Sequence, residues 1–157
     1  MGSLREMGLI KALQDAVLRK KTFFLGVCVG MQILFEHSEE EGTECLGWLK
    51  GKVVRFQSDS DGNAAGTKMR VPQMGWNRVC FKQNRPVKTQ DDFFYFVNSF
   101  YAMPEKADDL WGSAFYGGTF AAAVCKDNIL ATQFHVEKSG EAGLALLQGF
   151  LSLRKGV

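Results

Sequence analysis

The sequence places a cysteine between two glycines, in Gly26-Val27-Cys28-Val29-Gly30. An apolar run at 23–25 precedes this segment and good helix formers follow it, which predicts a buried strand, a tight turn and a helix. The spacing is that of a G-x-nucleophile-x-G elbow, with cysteine where serine often stands. We expect the glycines to allow close backbone approach, the helix N-terminus to lower the pKa of the Cys28 thiol, and the Val29 N–H to bind an oxyanion. The elbow alone leaves a second interpretation open, in which Cys28 is a small core residue.

A base and an acid lie about a hundred residues further on, in His135-Val136-Glu137. His135 directly follows a predicted strand at 129–134. Because residues i and i+2 of an extended segment point the same way, Glu137 can accept a hydrogen bond from one imidazole nitrogen and leave the other free to take a thiol proton. A histidine at a strand end is more often structural. Cys28 also ends a strand, however, and α/β folds bind ligands at strand ends, so the three side chains together predict nucleophile, base and orienting acid.

Composition narrows the class of protein. A chain of 157 residues with 46% hydrophobic content predicts one domain, spanning 1–157. A net charge of +2 gives no electrostatic case for nucleic acid, and no apolar run is long enough to cross a membrane or act as a signal peptide. The four cysteines are widely spaced and there are only two histidines, which predicts free thiols in the cytoplasm and no metal site.

Periodic segments predict the elements around these residues. They are a helix at 3–19 capped by Ser3, a strand at 23–27, a helix through 31–37, strands at 52–56, 78–82 and 93–97, a hairpin of 120–124 with 129–134, and a last helix from 141 to about 154. We expect Leu144, Leu147 and Leu151 to line one face of that helix, with Leu146, Phe150 and Leu153 beside it, so that the helix is well buried. Loops are predicted at 57–66 and 71–77, and the large apolar Met74 and Trp76 on the second loop suit a partner surface.

Seven segments now carry a resemblance to a known family. Residues 25–32 (LGVCVGMQ) and 133–139 (QFHVEKS) resemble the triad class of glutamine amidotransferase domains. Within that class the chain looks most like the glutaminase subunit of imidazole glycerol phosphate synthase, from histidine biosynthesis. This narrower resemblance rests on 4–10 (LREMGLI), 51–56 (GKVVRF), 71–77 (VPQMGWN), 95–101 (YFVNSFY) and 126–135 (KDNILATQFH).

The resemblance implies a reaction and a set of residues for it. Glutamine is hydrolysed to glutamate and ammonia: Cys28 attacks the side-chain amide to form a γ-glutamyl thioester, His135 moves the proton and Glu137 holds the imidazole. The positions that match the family's substrate contacts are Val29, Gln32, Glu40, Ser99 and Phe100. Glu40, which composition alone assigns to a solvated loop, would then bind the substrate's α-amino group.

The resemblance also implies a partner and a fold, without any cofactor or metal. Residues matching Met74 and Trp76 would lie against a (β/α)₈-barrel synthase subunit that receives the ammonia, giving a heterodimer. The expected fold is α/β, with a mixed, largely parallel sheet flanked by helices (flavodoxin-like). Family members carry a strand, a helix and a glycine-rich oxyanion loop ahead of the position of Leu4, so we expect an N-terminally truncated domain that lacks them.

Further departures from the family leave other functions open. Val136 stands where the family has proline, and Gln73 and Asn98 stand where it commonly has histidines. These changes fit a paralogue that supplies ammonia to another synthase. The expected truncation fits a non-catalytic binding subunit. A third alternative is another cysteine hydrolase of the elbow type, acting on γ-glutamyl or peptide bonds without a partner.

Overall fold

The computed structural model of the chain describes residues 1–57, 70–83 and 85–153. In that part of the chain the helices are α1 (Gly2–Glu6), α2 (Leu9–Gln14), α3 (Val29–Gln32) and α4 (Gly140–Leu153), with a π-helical turn at Asp15–Arg19 and 3₁₀ turns at Glu40–Gly42, Ala107–Asp109 and Val136–Lys138. The strands are β1 (Phe24–Val27), β2 (His37–Ser38), β3 (Thr43–Glu44), β4 (Gly51–Arg55), β5 (Gln73–Phe81), β6 (Asp92–Asn98), β7 (Phe100–Pro104), β8 (Leu110–Phe115), β9 (Thr119–Lys126) and β10 (Ile129–Thr132). The loop predicted at 57–66 lies, beyond Gln57, outside the described residues.

The described strands form one mixed sheet, which confirms the α/β class with a central mixed sheet. Its order is β3-β2-β4-β7-β9-β8-β5-β6, with β10 paired to β9 and β1 paired to β10. Within the described residues the parallel pairs are β1 with β10 and β2 with β4. The other pairs are antiparallel, so the expected predominance of parallel strands is not found there. Short connections such as Asp127-Asn128 between β9 and β10 account for this, because they can join only antiparallel neighbours.

Apolar side chains pack on both faces of this sheet. All four residues of β10 are buried, which is the pattern of a central strand covered on both sides. Because successive side chains of a strand point to opposite faces, Leu130 joins one core cluster, with Phe134, Leu146 and others, while Ile129 and Ala131 join a second cluster. The strand next to the elbow is therefore held rigidly from two sides.

Two of the predicted helices are shorter than the sequence pattern indicated. The helix expected at 3–19 is interrupted between α1 and α2, where Gly8 adopts φ 67°, and Ser3 makes no side-chain cap. The helix expected through 31–37 ends at Gln32. The carbonyls of the next residues, 33–35, instead accept hydrogen bonds from a later segment, the N–H groups of 46–49, at 2.7–2.9 Å.

The buried face of α4 is rotated from the predicted stripe: Leu146 and Phe150 are buried as expected and Leu147 and Leu153 pack partly against the core, but Leu144 and Leu151 do not. Leu144 and Leu151 are 58% and 55% exposed, whereas Gly143, Leu146 and Phe150 are buried. Gly143 determines this orientation, since a Cβ there would collide with the backbone carbonyl of Val136. A close backbone approach at one glycine therefore overrides the leucine stripe. None of the helices in the described ranges has the length and apolar composition to span a bilayer.

Candidate active site

Cys28 occupies a strained position between β1 and α3. It adopts φ 54° and ψ −111°, a backbone region that side-chain-bearing residues rarely occupy, and it stands at the N-cap of α3. Its N–H donates to the carbonyl of Thr132 on β10 at 2.7 Å. This hydrogen bond continues the β1–β10 ladder past Val27 and fixes the turn against the central strand. The predicted strand–turn–helix elbow is confirmed.

The two glycines of the elbow differ in what surrounds them. A Cβ on Gly26 would lie 2.5 Å from the carbonyl oxygen of Gly30 and 3.2 Å from Cβ of Ala131. A Cβ on Gly30 would have nothing within 4 Å. Close backbone approach therefore requires glycine at position 26 only, and the expectation for Gly30 is wrong.

A matched pair of alanine variants tests this asymmetry. We expect Gly26→Ala to lower the free energy of unfolding by about 2 kcal/mol or more, because the methyl group overlaps rigid backbone. Gly30→Ala should leave stability unchanged or raise it by about 0.5–1 kcal/mol, since alanine favours a helix. Urea denaturation of both proteins measures the difference. Equal stability of the two variants would contradict the elbow geometry.

His135 and Glu137 form a hydrogen-bonded pair just beyond β10. His135 Nδ1 and Glu137 Oε1 are 2.7 Å apart. Among the described residues no group hydrogen-bonds the other ring nitrogen, Nε2, which is left available for proton transfer. The extended segment predicted between the two residues is wrong: Glu137 lies in the 3₁₀ turn Val136–Lys138, and only His135 is extended. The turn brings the carboxylate to the imidazole just as effectively.

Ser139, which the sequence suggests only as a cap of the last helix, holds this pair in place. Its hydroxyl donates to the carbonyl of His135 at 2.6 Å and accepts from the N–H of Tyr95 at 3.0 Å. The N–H of His135 in turn donates to the carbonyl of Tyr95 at 2.9 Å. The base is thus tied to β6 from two sides, and its backbone has little freedom.

The parallel pairing of β1 with β10 brings Cys28 and His135 to one edge of the sheet. Val27 is in register with Thr132, so Cys28 is one residue beyond the end of its strand and His135 is three beyond the end of the other. The carboxyl ends of parallel strands meet at the same edge, which is where α/β folds bind ligands. The carboxylate of Glu137 is close enough to raise the pKa of the Cys28 thiol.

The pKa of Cys28 does not follow the expectation. Burial is the largest effect and raises the pKa of the thiol, and the charges of Glu137 and Glu40 raise it further. Hydrogen bonds from the Val29 N–H and the Gln133 amide lower the pKa, but it stays above its ordinary value. Helix α3 has only four residues, so its dipole is too small to offset the burial. The resting cysteine is therefore a neutral thiol, and it needs a base to become a nucleophile.

The carboxylate that orients His135 stays ionised. Burial raises the pKa of Glu137, but the hydrogen bond from His135, a backbone hydrogen bond and the charges of His135 and Lys138 outweigh it, and the pKa is lowered. An ionised carboxylate accepts a hydrogen bond from the Nδ1–H group and stabilises the imidazolium that forms when Nε2 takes up a proton.

A cavity of about 240 Å³ opens beside the elbow. Three of the predicted substrate contacts, Val29, Gln32 and Glu40, line it together with Met1, Ile33, Ser38, Glu41, Thr43 and Cys45. Ser99 and Phe100 are not among the lining residues. The carbonyl of Phe100 instead accepts a hydrogen bond from Gln32 at 3.0 Å, and the carbonyl of Ser99 accepts one from Phe56. The thiol among the lining residues is that of Cys45, which the sequence did not single out, whereas Cys28 is adjacent to the lining residue Val29.

Met74 and Trp76 lie on strand β5, so the loop predicted at 71–77 is wrong beyond Pro72. Both side chains are on the open face of the strand, 66% and 57% exposed. Their cross-strand partners are Val97 and Tyr95 on β6, and the rings of Trp76 and Tyr95 meet edge to face at 6.0 Å. Because the Val97 carbonyl lies 3.9 Å from the Cys28 sulfur, this apolar surface borders the nucleophile directly.

Within the described residues no group of three or more histidine, cysteine, aspartate or glutamate side chains is arranged to hold a metal ion. The four thiols, at positions 28, 45, 80 and 125, are all free. The chemistry available at the site is therefore that of a thiol, an imidazole, a carboxylate and backbone N–H groups.

Comparison with known proteins gives a consistent result. Residues 2–152 match the family described as glutamine amidotransferase class-I. The imidazole glycerol phosphate synthase subunit HisH of Neisseria meningitidis serogroup B is 48% identical over 155 residues, which are 97% of this chain and 72% of that protein. The subunit of the same name from Leptospira interrogans is 44% identical over 156 residues, 98% of this chain and 74% of the relative.

A solved structure shares the fold at lower identity. A crystal structure titled glutamine amidotransferase superposes with a TM-score of 0.67 at 20% identity, covering 97% of this chain and 71% of the other. At this identity the likeness concerns the fold alone.

Proposed function

This chain belongs to the class-I glutamine amidotransferase family, and on that premise we propose that it is the glutamine-hydrolysing subunit of an imidazole glycerol phosphate synthase, acting in histidine biosynthesis. The relatives that carry that name are 42–48% identical to it over nearly the whole chain. One observation of the site carries the proposal. A strained cysteine elbow and a hydrogen-bonded His135–Glu137 pair emerge from the same end of two parallel, hydrogen-bonded strands.

The neutral state of Cys28 determines the first step. His135 Nε2 takes the thiol proton as the sulfur attacks the side-chain carbonyl carbon of glutamine, which gives a tetrahedral intermediate with a negatively charged oxygen. The Val29 N–H, at the start of α3, is the donor that stabilises this oxyanion. Glu137, with its lowered pKa, stabilises the positive charge on the ring of His135.

The second half of the reaction returns the proton. The imidazolium of His135 gives its proton to the departing nitrogen, the C–N bond breaks, and ammonia leaves behind a γ-glutamyl thioester on Cys28. His135 then takes a proton from water, whose oxygen attacks the thioester carbon. The C–S bond breaks, glutamate leaves, and the proton on His135 returns to the sulfur.

The cavity beside the elbow supports the proposed recognition of glutamine. Glu40 supplies a carboxylate for the α-ammonium group, and Gln32 supplies an amide. In this proposal Ser99 and Phe100 contribute through the backbone, as the Phe100 carbonyl already does towards Gln32.

The exposed surface formed by Met74 and Trp76 is the proposed contact with the synthase partner, a (β/α)₈-barrel subunit in a cytoplasmic heterodimer. Large exposed apolar side chains are typical of the centre of a protein interface. This surface borders Cys28 through Val97, so a partner seated there would receive ammonia close to where it forms.

Glutamate release tests this function. The chain is assayed with glutamine alone and together with the synthase subunit encoded by the same genome. We expect glutamate and ammonia in equal amounts, with a faster rate in the complex. A folded protein without glutaminase activity in either condition would overturn the proposal, and turnover of γ-glutamyl peptides without any partner would favour a cysteine hydrolase of another kind.

A further inference from the structure

A chain of buried amide groups connects the cavity to the nucleophile. The carbonyl of Phe100 accepts a hydrogen bond from Gln32 Nε2 at 3.0 Å, and the same nitrogen donates to Gln133 Oε1 at 3.0 Å. Gln133 Nε2 then donates to the Cys28 sulfur at 3.7 Å. Gln133 has no exposed surface and Gln32 is 6% exposed, so water does not compete for these contacts.

The backbone carbonyl of Phe100 determines the direction of every hydrogen bond in this series of amide groups. A carbonyl oxygen can only accept, so the NH₂ group of Gln32 must face Phe100. Its second proton then points at the oxygen of Gln133. The NH₂ group of Gln133 is left facing the sulfur. A flipped amide at Gln32 would set its oxygen against two acceptors, and a flipped amide at Gln133 would set two NH₂ donors against each other.

The sulfur of Cys28 is therefore a fixed hydrogen-bond acceptor on one side. On another side the thiol itself donates to the carbonyl of Val97 on β6, at 3.9 Å. When the thiol loses its proton, the carbonyl of Val97 opposes the new negative charge while the amide of Gln133 stabilises it. The Gln133 side chain offsets this electrostatic repulsion between the Val97 carbonyl and the thiolate.

We propose that Gln133 is a positioning residue for the nucleophile, whose amide N–H, oriented through Gln32 by the Phe100 carbonyl, aims the Cys28 sulfur and stabilises its thiolate. The proposal deepens the proposed function, on which it rests for its role in turnover. It also makes Gln32 a link between the substrate cavity and the nucleophile, because Gln32 lines that cavity.

The test measures the reactivity of the Cys28 thiol in the absence of glutamine. The rate at which iodoacetamide labels Cys28 is followed by mass spectrometry of its peptide across a range of pH, in the full chain and in Gln133→Met. Methionine keeps the length of the side chain but cannot donate. At pH 8 we expect labelling of Cys28 to slow by about fivefold, with its pH midpoint moved upward, which is the loss of one ordinary hydrogen bond to the thiolate. Glu137 and Glu40, the carboxylates that act on Cys28, are unchanged in this variant.

A neighbouring variant controls for lost packing. Thr132 is also fully buried, and its hydroxyl donates to the Phe134 carbonyl at 2.9 Å without contacting the sulfur. Thr132→Val should lower thermal stability and leave the pH midpoint of Cys28 labelling in place. If Gln133→Met fails to fold, Gln32→Met removes the orientation of Gln133 from a position at the cavity wall, and we expect the same direction of shift.

A Cys28 midpoint that stays unchanged in folded Gln133→Met or Gln32→Met protein, or that moves as much in Thr132→Val, overturns the inference. This result is separable from failure of the proposed function. An unchanged midpoint with normal glutaminase activity rejects the role of Gln133 alone, whereas a shifted midpoint in a chain without glutaminase activity supports that role and rejects the function.

Discussion

A Cys28→Ser protein is expected to release glutamate from glutamine at least about a thousandfold more slowly than the unchanged chain, in the presence of the synthase subunit. The pKa of the Cys28 thiol is already raised by burial and by the charges of Glu137 and Glu40. A serine hydroxyl ionises far less readily than a thiol, so in the same surroundings the imidazole can no longer generate the nucleophile. The rate of glutamate formation in the complex, with circular dichroism to verify folding, measures the effect.

The chain offers two matched controls for this prediction. Cys80→Ser changes an exposed thiol on β5 and should leave the rate unchanged. Cys45→Ser changes a thiol that lines the same cavity as Val29 and Glu40. A loss of activity in Cys45→Ser combined with activity in Cys28→Ser would move the nucleophile to Cys45 and contradict the elbow as the reacting element.

A His135→Ala protein should lose about two to four orders of magnitude in kcat, because it lacks the imidazole that is proposed to take the proton from a neutral thiol. KM should change much less, since His135 is not among the residues that line the cavity proposed to bind glutamine. Free imidazole added to the assay should restore part of the rate. Glu137→Gln should cost less, since it removes only the carboxylate that orients the ring and stabilises its charge at 2.7 Å.

His37 is the control for this second prediction, as the other histidine of the chain. It lies on β2, with Nδ1 3.5 Å from the carboxylate of Glu44 at an exposed site. We expect His37→Ala to retain glutaminase activity. Equal losses in the two alanine variants, or a full rate in His135→Ala, would contradict the assignment of the base.

The elbow of Cys28 and the pairing of His135 with Glu137 could be predicted from the sequence because their signals are local. The glycine spacing of the elbow reflects one close approach, of Gly26 to the Gly30 carbonyl. The segment around His135 and Glu137 combines a buried strand with a short turn, and its side-chain contact spans two residues. The backbone between His135 and Glu137 was predicted wrongly, but their spacing of two residues still keeps the carboxylate within hydrogen-bond distance of the imidazole.

The features that the sequence did not predict depend on contacts between distant segments. The leucines of α4 indicated one buried face, but Gly143 against Val136 turns the helix to another. The pKa of Cys28 was expected to be lowered by a helix, yet it depends on burial and on Glu137, more than a hundred residues away. Gln133 belongs to the motif around His135, but its hydrogen bonds to Gln32 and to the Cys28 sulfur join residues about a hundred positions apart.

The most direct test of the proposed active site is site-resolved labelling with an electrophilic glutamine analogue, for example one with a chloroketone in place of the side-chain amide. The analogue must enter the cavity, lie against the elbow and meet a sulfur from which His135 removes the proton. We predict modification of Cys28 well ahead of Cys45, Cys80 and Cys125, with protection by glutamine and loss of the preference in His135→Ala. Equal labelling of the four thiols, or preferential modification of Cys45 in the cavity wall, would show that the elbow and the imidazole do not act together.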